Sequence, residues 1–318
     1  MSVIPLETCG RYDCLFLSPH ADDVAFSSPA RLHWEVKRGQ SVLVLALFGT
    51  ADPASPGAAA VEALGADYAS AGLEPGNARL SSDSFGALAY GRGDEDGEIL
   101  VRAARLLADV EPRIRARQVY APLGVGGHVD HRLTHEAALR AFSSGEGRNV
   151  YLYEERPEAL VRGAVRVRLS LLGARLPPAA ANAPERTGLT RYLLNVHVPP
   201  SLRGDLRGLG DRLRSSGGAA REWRLARAWN PQKAFGPRLQ PVVHTGDASA
   251  LAAANAATLT LLPPDARGRT RRARRFAALS AAYARRLGAP GHAERFWLLL
   301  PSPHGAQEMV LPTAVGQE

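Results

Sequence analysis

Only two cysteines, Cys9 and Cys14, occur in 318 residues, too few for a disulfide framework. Cys14 falls inside an apolar run and reads as a small core residue, so a reducing, cytoplasmic setting is expected. Aromatic residues make up 6% of the chain, and no RRM, KH or helix-turn-helix pattern accompanies them, which argues against a nucleic-acid reader. No stretch of eighteen apolar residues exists, so no membrane span is expected. The opening MSVIPLETCGRYD has no basic start followed by an apolar run, and a secretory signal is not expected either. No G-x-G-x-x-G follows the first apolar run, and GVGGH (Gly124 to His128) is short and lacks a Walker lysine. Dinucleotide-binding and phosphate-loop readings are thereby excluded. No internal repeat is found.

What is present is globular in balance, with 45% hydrophobic and 22% charged residues. Lys and Arg total 39 against 31 Asp and Glu, a formal charge of +8, and nearly all the cations are arginine. Such a surplus could serve nucleic acid or an anionic substrate. The accompanying Ala, Gly and Pro suggest a GC-rich coding bias instead, and a solvated arginine-rich surface is the plainer reading.

Apolar runs and helical segments alternate through the first half. Strands are expected at Tyr12 to Ser18, Ser41 to Phe48, Arg79 to Ser82, Gln118 to Pro122 and Asn149 to Tyr153. Helices are expected at Asp23 to Arg38, bent or delayed by Pro29, and at Ala58 to Ala71. Two more are expected at Glu98 to Arg117, broken near Val110 by Pro112, and at Asp130 to Phe142. Ser81 to Gly97 reads as a long polar loop. This alternation is the signature of an α/β fold with a doubly wound parallel sheet flanked by helices. Residues 156–318 are a less regular half that completes a single domain spanning 1–318. One helix is expected there near Leu202 to Arg214, a second at Arg271 to Leu287, and a terminal strand at Arg295 to Leu300. The arginine run within 269–275 reads as an exposed first turn, with a phosphate contact as the alternative.

Chemistry concentrates in two short stretches. LFLSPHADD, Leu15 to Asp23, ends an apolar strand and then places His20, Asp22 and Asp23 within four positions. GVGGHVDHRLTHE follows the strand VYAP and supplies His128, Asp130 and His131. Both lie where a parallel strand turns into a helix, the edge at which ligands collect in such sheets. Catalytic zinc takes three protein ligands and keeps one position open for water. His20 and Asp23 can point to one side, and His131, or with less support His128, completes a set of two imidazoles and one carboxylate. Asp22 then has a use as general base. A free Asp titrates at about 3.9, which suffices because zinc lowers the pKa of its water to about 7. His128 is the expected cationic partner, stabilising the oxyanion and later protonating the leaving amine. Asp130 can orient one imidazole. The competing reading makes Asp22, Asp23 and Asp130 ordinary helix caps; the recurrence of complementary ligands at two equivalent places favours the metal. His33, His135, His197, His244, His292 and His304 are not expected as ligands, His135 being read as a surface helix position that could line the site. Asp83, Arg79 and Arg92 are loop residues that could meet a sugar hydroxyl or phosphate.

SPHADD followed by GGHVDH resembles the paired motifs of the PIG-L/LmbE family of zinc-dependent de-N-acetylases, over roughly residues 11–155. The resemblance implies a Rossmann-like sheet, with Zn2+ or another divalent ion on His20, Asp23 and His131. It further implies Asp22 as base and His128 as acid or oxyanion partner. The commoner motif has Pro at the places of Ala21 and Val129 and Glu at that of Val24, and some members carry Tyr where Gly126 stands. YEERP, Tyr153 to Pro157, resembles an acidic segment of one subgroup, with Glu154 as its candidate supporting residue. The implied reaction removes an N-acetyl or other N-acyl group from a small amino-sugar or glycosylated substrate, anionic groups being compatible with the basic chain. The alternatives are an amidase acting on a thiol conjugate or acylated natural product, and a basic nucleic-acid-binding protein with a structural metal site.

Overall fold

A computed structural model describes residues 4–50, 52, 54–82, 85–91, 93–142, 144–145, 147–188, 209–261 and 268–301. The chain begins with β1 (Cys14–Ser18), α1 (Asp23–Ser27), α2 (Pro29–Lys37), β2 (Val42–Phe48), α3 (Pro56–Ala63) and β3 (Asp67–Leu73). There follow α4 (Gly76–Arg79), α5 (Phe85–Tyr90), α6 (Asp96–Ile114), β4 (Gln118–Pro122), α7 (Val129–Ala141) and β5 (Asn149–Tyr153). The second half adds α8 (Ala164–Leu171), α9 (Leu209–Ala228), β6 (Leu239–Gly246), α10 (Ala248–Leu261), α11 (Gly268–Arg286) and β7 (His292–Leu299).

All seven strands form one sheet in the order β3-β2-β1-β4-β5-β7-β6. The first five are parallel. β1 and β2 are buried along their whole length, which is why they read as uninterrupted apolar runs rather than alternating ones. Successive β1 side chains enter opposite cores. Leu15 and Leu17 join the cluster under α6 and α7, while Cys14 and Phe16 join the one under α1 to α3. The chain runs outward from β1 through β2 to β3 and then returns to the other side of β1 as β4. The switch in strand order therefore falls between β1 and β4, and the two motif-bearing turns, a hundred residues apart, leave adjacent strands on one edge.

Several expectations need correction. The expected helix at Ala58 to Ala71 ends at Ala63, where Gly65 takes φ +86°, and DYASAGL becomes β3 because β2 offers it a parallel edge. Alanine's helix preference yields there to pairing. Arg79 to Ser82 is not a strand, since Gly76–Arg79 forms α4 instead, and the expected loop after it contains α5. Pro112 does not break its helix near Val110. It stands in the last turn of α6, which closes at Arg115 with φ +50°. Pro29 occupies the first turn of α2, the helical position that tolerates proline, so α1 and α2 are separate helices joined at Ser28. The sheet is not wholly parallel either. α11 delivers the chain to the motif-bearing edge, so β7 enters from that edge and runs antiparallel to both β5 and β6. The second half thus completes the same sheet, with more regular structure than expected. Of the helix expected at Leu202 to Arg214, residues 202–208 lie outside the described residues, and α9 continues from Leu209 to Ala228.

Two glycines let neighbouring elements approach the motifs. A Cβ on Gly57 would lie 2.5 Å from the Ala21 carbonyl carbon and 2.6 Å from its Cβ, and one on Gly76 would lie 2.4 Å from Val129 Cγ1. Gly57 does not adopt a positive φ, so alanine there tests steric fit alone. Gly57→Ala is expected to destabilise the protein by about 1–3 kcal/mol, the range for overpacking, read as a lower denaturant midpoint. An unchanged midpoint would show that α3 does not brace the His20–Asp23 turn.

Candidate metal centre

The first turn is tied down before any ligand is placed. Tyr153 Oη donates to the Leu17 carbonyl at 2.9 Å, and the Phe48 N–H donates to the Pro19 carbonyl at 2.9 Å. Ser18 Oγ donates to the His20 carbonyl and receives the Val24 N–H. Asp23 Oδ2 receives the His20 backbone N–H at 2.8 Å and stands 3.1 Å from His20 Nδ1. Asp22 occupies the N-cap position of α1, yet its side chain makes no cap hydrogen bond. The described bonds of the Asp23 carboxylate go to His20 and His131, so the helix-cap reading of this pair is not what the structure shows.

The second turn meets the first from β4. His131 Nε2 lies 3.3 Å from the same Asp23 Oδ2, so one carboxylate oxygen faces two imidazoles from adjacent strands. Ligand atoms of His20, Asp23 and His131 all lie within 4.8 Å of one another, and so do ligand atoms of His20, His128 and Asp130. Partners separate these two groups. Asp130 is fully buried and already accepts from His20 Nε2 at 2.9 Å, Gly76 N–H at 2.8 Å and Arg79 Nη2 at 3.0 Å. His128 Nδ1 accepts the Asp130 N–H at 3.2 Å, capping α7. His20, Asp23 and His131 fit a divalent ion better, with Asp130 orienting His20 through its other ring nitrogen, the usual relation of a carboxylate to a ligating imidazole. Side-chain exposure runs from 29% for His20 through 16% for Asp23 to 9% for His131. The cluster therefore opens to solvent on the His20 side, where a water or substrate position is needed.

Protonation follows from this crowding. Burial works against charge on His20, but hydrogen bonds to Asp130 and Asp23 carry it up to about 9. His131 is likewise disfavoured as a cation by burial and is nonetheless raised well above the usual range by Asp23 and Glu155. Burial pushes the Asp23 carboxyl upward, and the two imidazoles override it, holding it well below the usual range. Asp22 is raised by burial and by the neighbouring Asp23 charge. His128 is pushed down to about 3, first by burial and then by His131 and His20. Both effects disfavour the imidazolium form at His128. Because its Nδ1 is an acceptor, the ring proton belongs on Nε2.

The supporting residues differ from those expected. Arg79 is neither a sugar contact nor an ordinary loop residue. Its side chain is buried and joins Asp130 to Asp96, 3.1 Å away. Glu155, not Glu154, faces the site, at 3.5 Å from His131 Nδ1 while receiving the Gly124 and Val125 N–H groups. Glu154 points to Arg295 and Trp297, at 2.6 and 2.8 Å. His135 is not a surface residue but fully buried, its Nδ1 held by the Pro122 carbonyl at 2.9 Å. His292 pairs with Glu294 and the His244 ring packs on Trp34. Asp83, Arg92, His197 and His304, and the side chains of Arg271 and Arg272, lie outside the described residues. The helix starts earlier than expected, at Gly268, so Arg274, which is exposed, lies in its second turn.

No family model matches the sequence, and no curated protein matches it. Solved structures do share the fold. Similar ones include a zinc-inhibited form of the teicoplanin deacetylase Orf2, 16% identical, covering 91% of this chain and 98% of that one at a TM-score of 0.55. The A40926 pseudoaglycone deacetylase Dbv21, also 16% identical, covers the same shares at 0.51. A deacetylase–teicoplanin complex, again 16% identical, covers 92% and 99% at 0.55. The α/β architecture expected from the alternation of strands and helices is therefore a fold that these deacetylases share.

A metal needs neutral imidazoles, whereas the pKa of His20 is carried up to about 9 and that of His131 is raised well above the usual range. Binding at pH 7 must then displace both protons, so apparent affinity rises with pH toward 9 and falls below 7. Zinc titrations by calorimetry, in buffers of different ionisation enthalpy, are expected to show release of about two protons per ion. Release close to zero would mean that these rings are not the ligands.

Proposed function

We propose that this protein is a metal-dependent deacetylase of the PIG-L/LmbE type, removing an N-acetyl or other N-acyl group from an amino-sugar-containing small molecule. The observation that carries the reading is the meeting of His20, Asp23 and His131 at one solvent-facing point beside Asp22, at the switch in strand order. The paired motifs and the fold shared with glycopeptide deacetylases support it.

His20, Asp23 and His131 would hold the ion, and two nitrogens with one oxygen suit zinc. Bound zinc would supply Lewis acidity toward the amide carbonyl and a water acidic enough to lose its proton near neutral pH. The chain's own groups account for the rest. Asp22 is close to the cluster and uncommitted as a cap, so its carboxylate is free to take a proton from the attacking water. Burial raises its affinity for that proton, which suits a group that must accept it and then release it. His128, neutral with its proton on Nε2, donates a hydrogen bond to the amide oxygen as that atom gains charge. A neutral imidazole is too weak an acid to protonate the departing amine, so the proton that Asp22 has taken goes to the nitrogen. Asp130 with Arg79 fixes the His20 ring, and Glu155 restrains that of His131.

Zinc-loaded protein is expected to release acetate from members of a panel of N-acetylated amino sugars in preference to acylated thiol conjugates. Asp22→Asn is expected to lower turnover by about 10²- to 10⁴-fold, the range for losing a positioned base, with one ion still bound per chain. Full turnover in Asp22→Asn would remove that residue from the proton path.

A further inference from the structure

The segment that follows β5 carries three glutamates, and they have three different fates. Glu154 is consumed by Arg295, Trp297 and Tyr283 in the core. Glu155 is consumed by the Gly124 and Val125 N–H groups below His131. Glu158 opens the short 3-10 turn Glu158–Leu160 and is half-buried. No described hydrogen bond or ion pair joins its carboxyl to another residue. Its own backbone N–H bonds the carboxyl, which leaves acceptor capacity unused on a partly desolvated group.

Its position is set by Gly126, two residues before His128. A Cβ on Gly126 would lie 2.5 Å from Glu158 Cγ and 3.2 Å from its Cβ. Gly126 also holds φ +86°, a conformation that side chains disfavour. The loop between β4 and α7 therefore presents no side chain at this point, and the stem of Glu158 fills the space. His131, Asp23 and Glu155 are near enough for their charges to bear on its carboxyl, and its stem packs on the loop that carries His128. It is not among the ligand atoms that converge on a shared ion position, which leaves it available to something else in the cleft.

Resting on the deacetylase reading, we propose that Glu158 is a specificity-determining residue: its carboxyl accepts a hydrogen bond from an N–H or hydroxyl of the amino sugar next to the scissile amide. A carboxyl accepts through oxygen whether or not it carries a proton, so the contact does not depend on its ionisation.

The test uses zinc-loaded full-length protein, with metal content measured for every variant. Glu158→Ala is expected to lower kcat/KM for the N-acetylated amino sugar by about tenfold, the upper end of the value of one neutral hydrogen bond, with one ion still bound. Glu158→Gln keeps the acceptor oxygen and is expected within about threefold of wild type. Gly126→Ala, which displaces the Glu158 stem from the other side, is expected to reproduce the alanine defect. Three results would overturn the inference: an unaffected Glu158→Ala, loss of metal in Glu158→Ala, or a Glu158→Gln as defective as the alanine variant. If wild type hydrolyses no amino sugar, the functional reading fails by itself, and the Glu158 contact is judged by binding. Saturation-transfer NMR with N-acetylglucosamine should then show weaker binding to Glu158→Ala than to wild type, whereas equal binding, or none to either, refutes it.

Discussion

One carboxylate oxygen, Asp23 Oδ2, receives the His20 backbone N–H and faces the rings of both His20 and His131. Most of the structure around it serves to make that meeting possible. The two imidazoles come from turns a hundred residues apart, and only the return of the chain from β3 to β4 makes those turns neighbours. Local geometry then confines each turn. Tyr153 and Phe48 hold the backbone before His20, α3 packs against Ala21 without a side chain at Gly57, and α4 approaches Val129 and Asp130 through Gly76.

Behind the ligands stands a second set of charges with little exposure. Asp130 is bound by His20, Gly76 and Arg79, and Arg79 is bound in turn by Asp96. Buried ions of this kind add little net stability, because desolvation offsets their attraction. Their effect here is geometric: the His20 ring has a partner on each nitrogen, so its rotation is fixed before any ion arrives. Glu155 plays the corresponding part for His131 with a longer, weaker contact. His128 is held differently, its Nδ1 accepting the Asp130 N–H as the N-cap of α7, which leaves its Nε2 as the ring's free edge.

What could be read from the chain beforehand divides along physical lines. β1, β2, β4 and β5 are legible because strands buried on both faces are continuous apolar runs, and the two motifs are legible because they sit at the ends of such runs. β3 is not, since DYASAGL has a helix former's composition and becomes a strand only through its neighbour. β7 is legible as a terminal apolar run, expected at Arg295 to Leu300 and found at His292–Leu299, but its antiparallel direction is not, because α11 brings the chain in from the motif-bearing edge; β6 is missed because it is an edge strand with few buried side chains. Among site residues, Asp130 and His131 carry their own signal, while Arg79 and Glu155 do not. Arg79 sits fifty-one residues from its Asp130 partner, and Glu155 differs from Glu154 only in which way a single residue turns after β5. His135 shows the limit from the other side, a histidine on a predicted helix face that lies in the core because α7 packs that face on β4.

Among the described residues, two groups of possible ligands share His20, and the proposed function requires the ion to sit with Asp23 and His131. Crystals grown with stoichiometric zinc and measured at the zinc absorption edge would decide between them through the anomalous difference map. The account predicts a single peak about 2.0–2.2 Å from His20 Nδ1, His131 Nε2 and an Asp23 oxygen, with Asp130 still hydrogen-bonded to His20. A peak among His20 Nε2, His128 and Asp130, or none in this cleft, would contradict it.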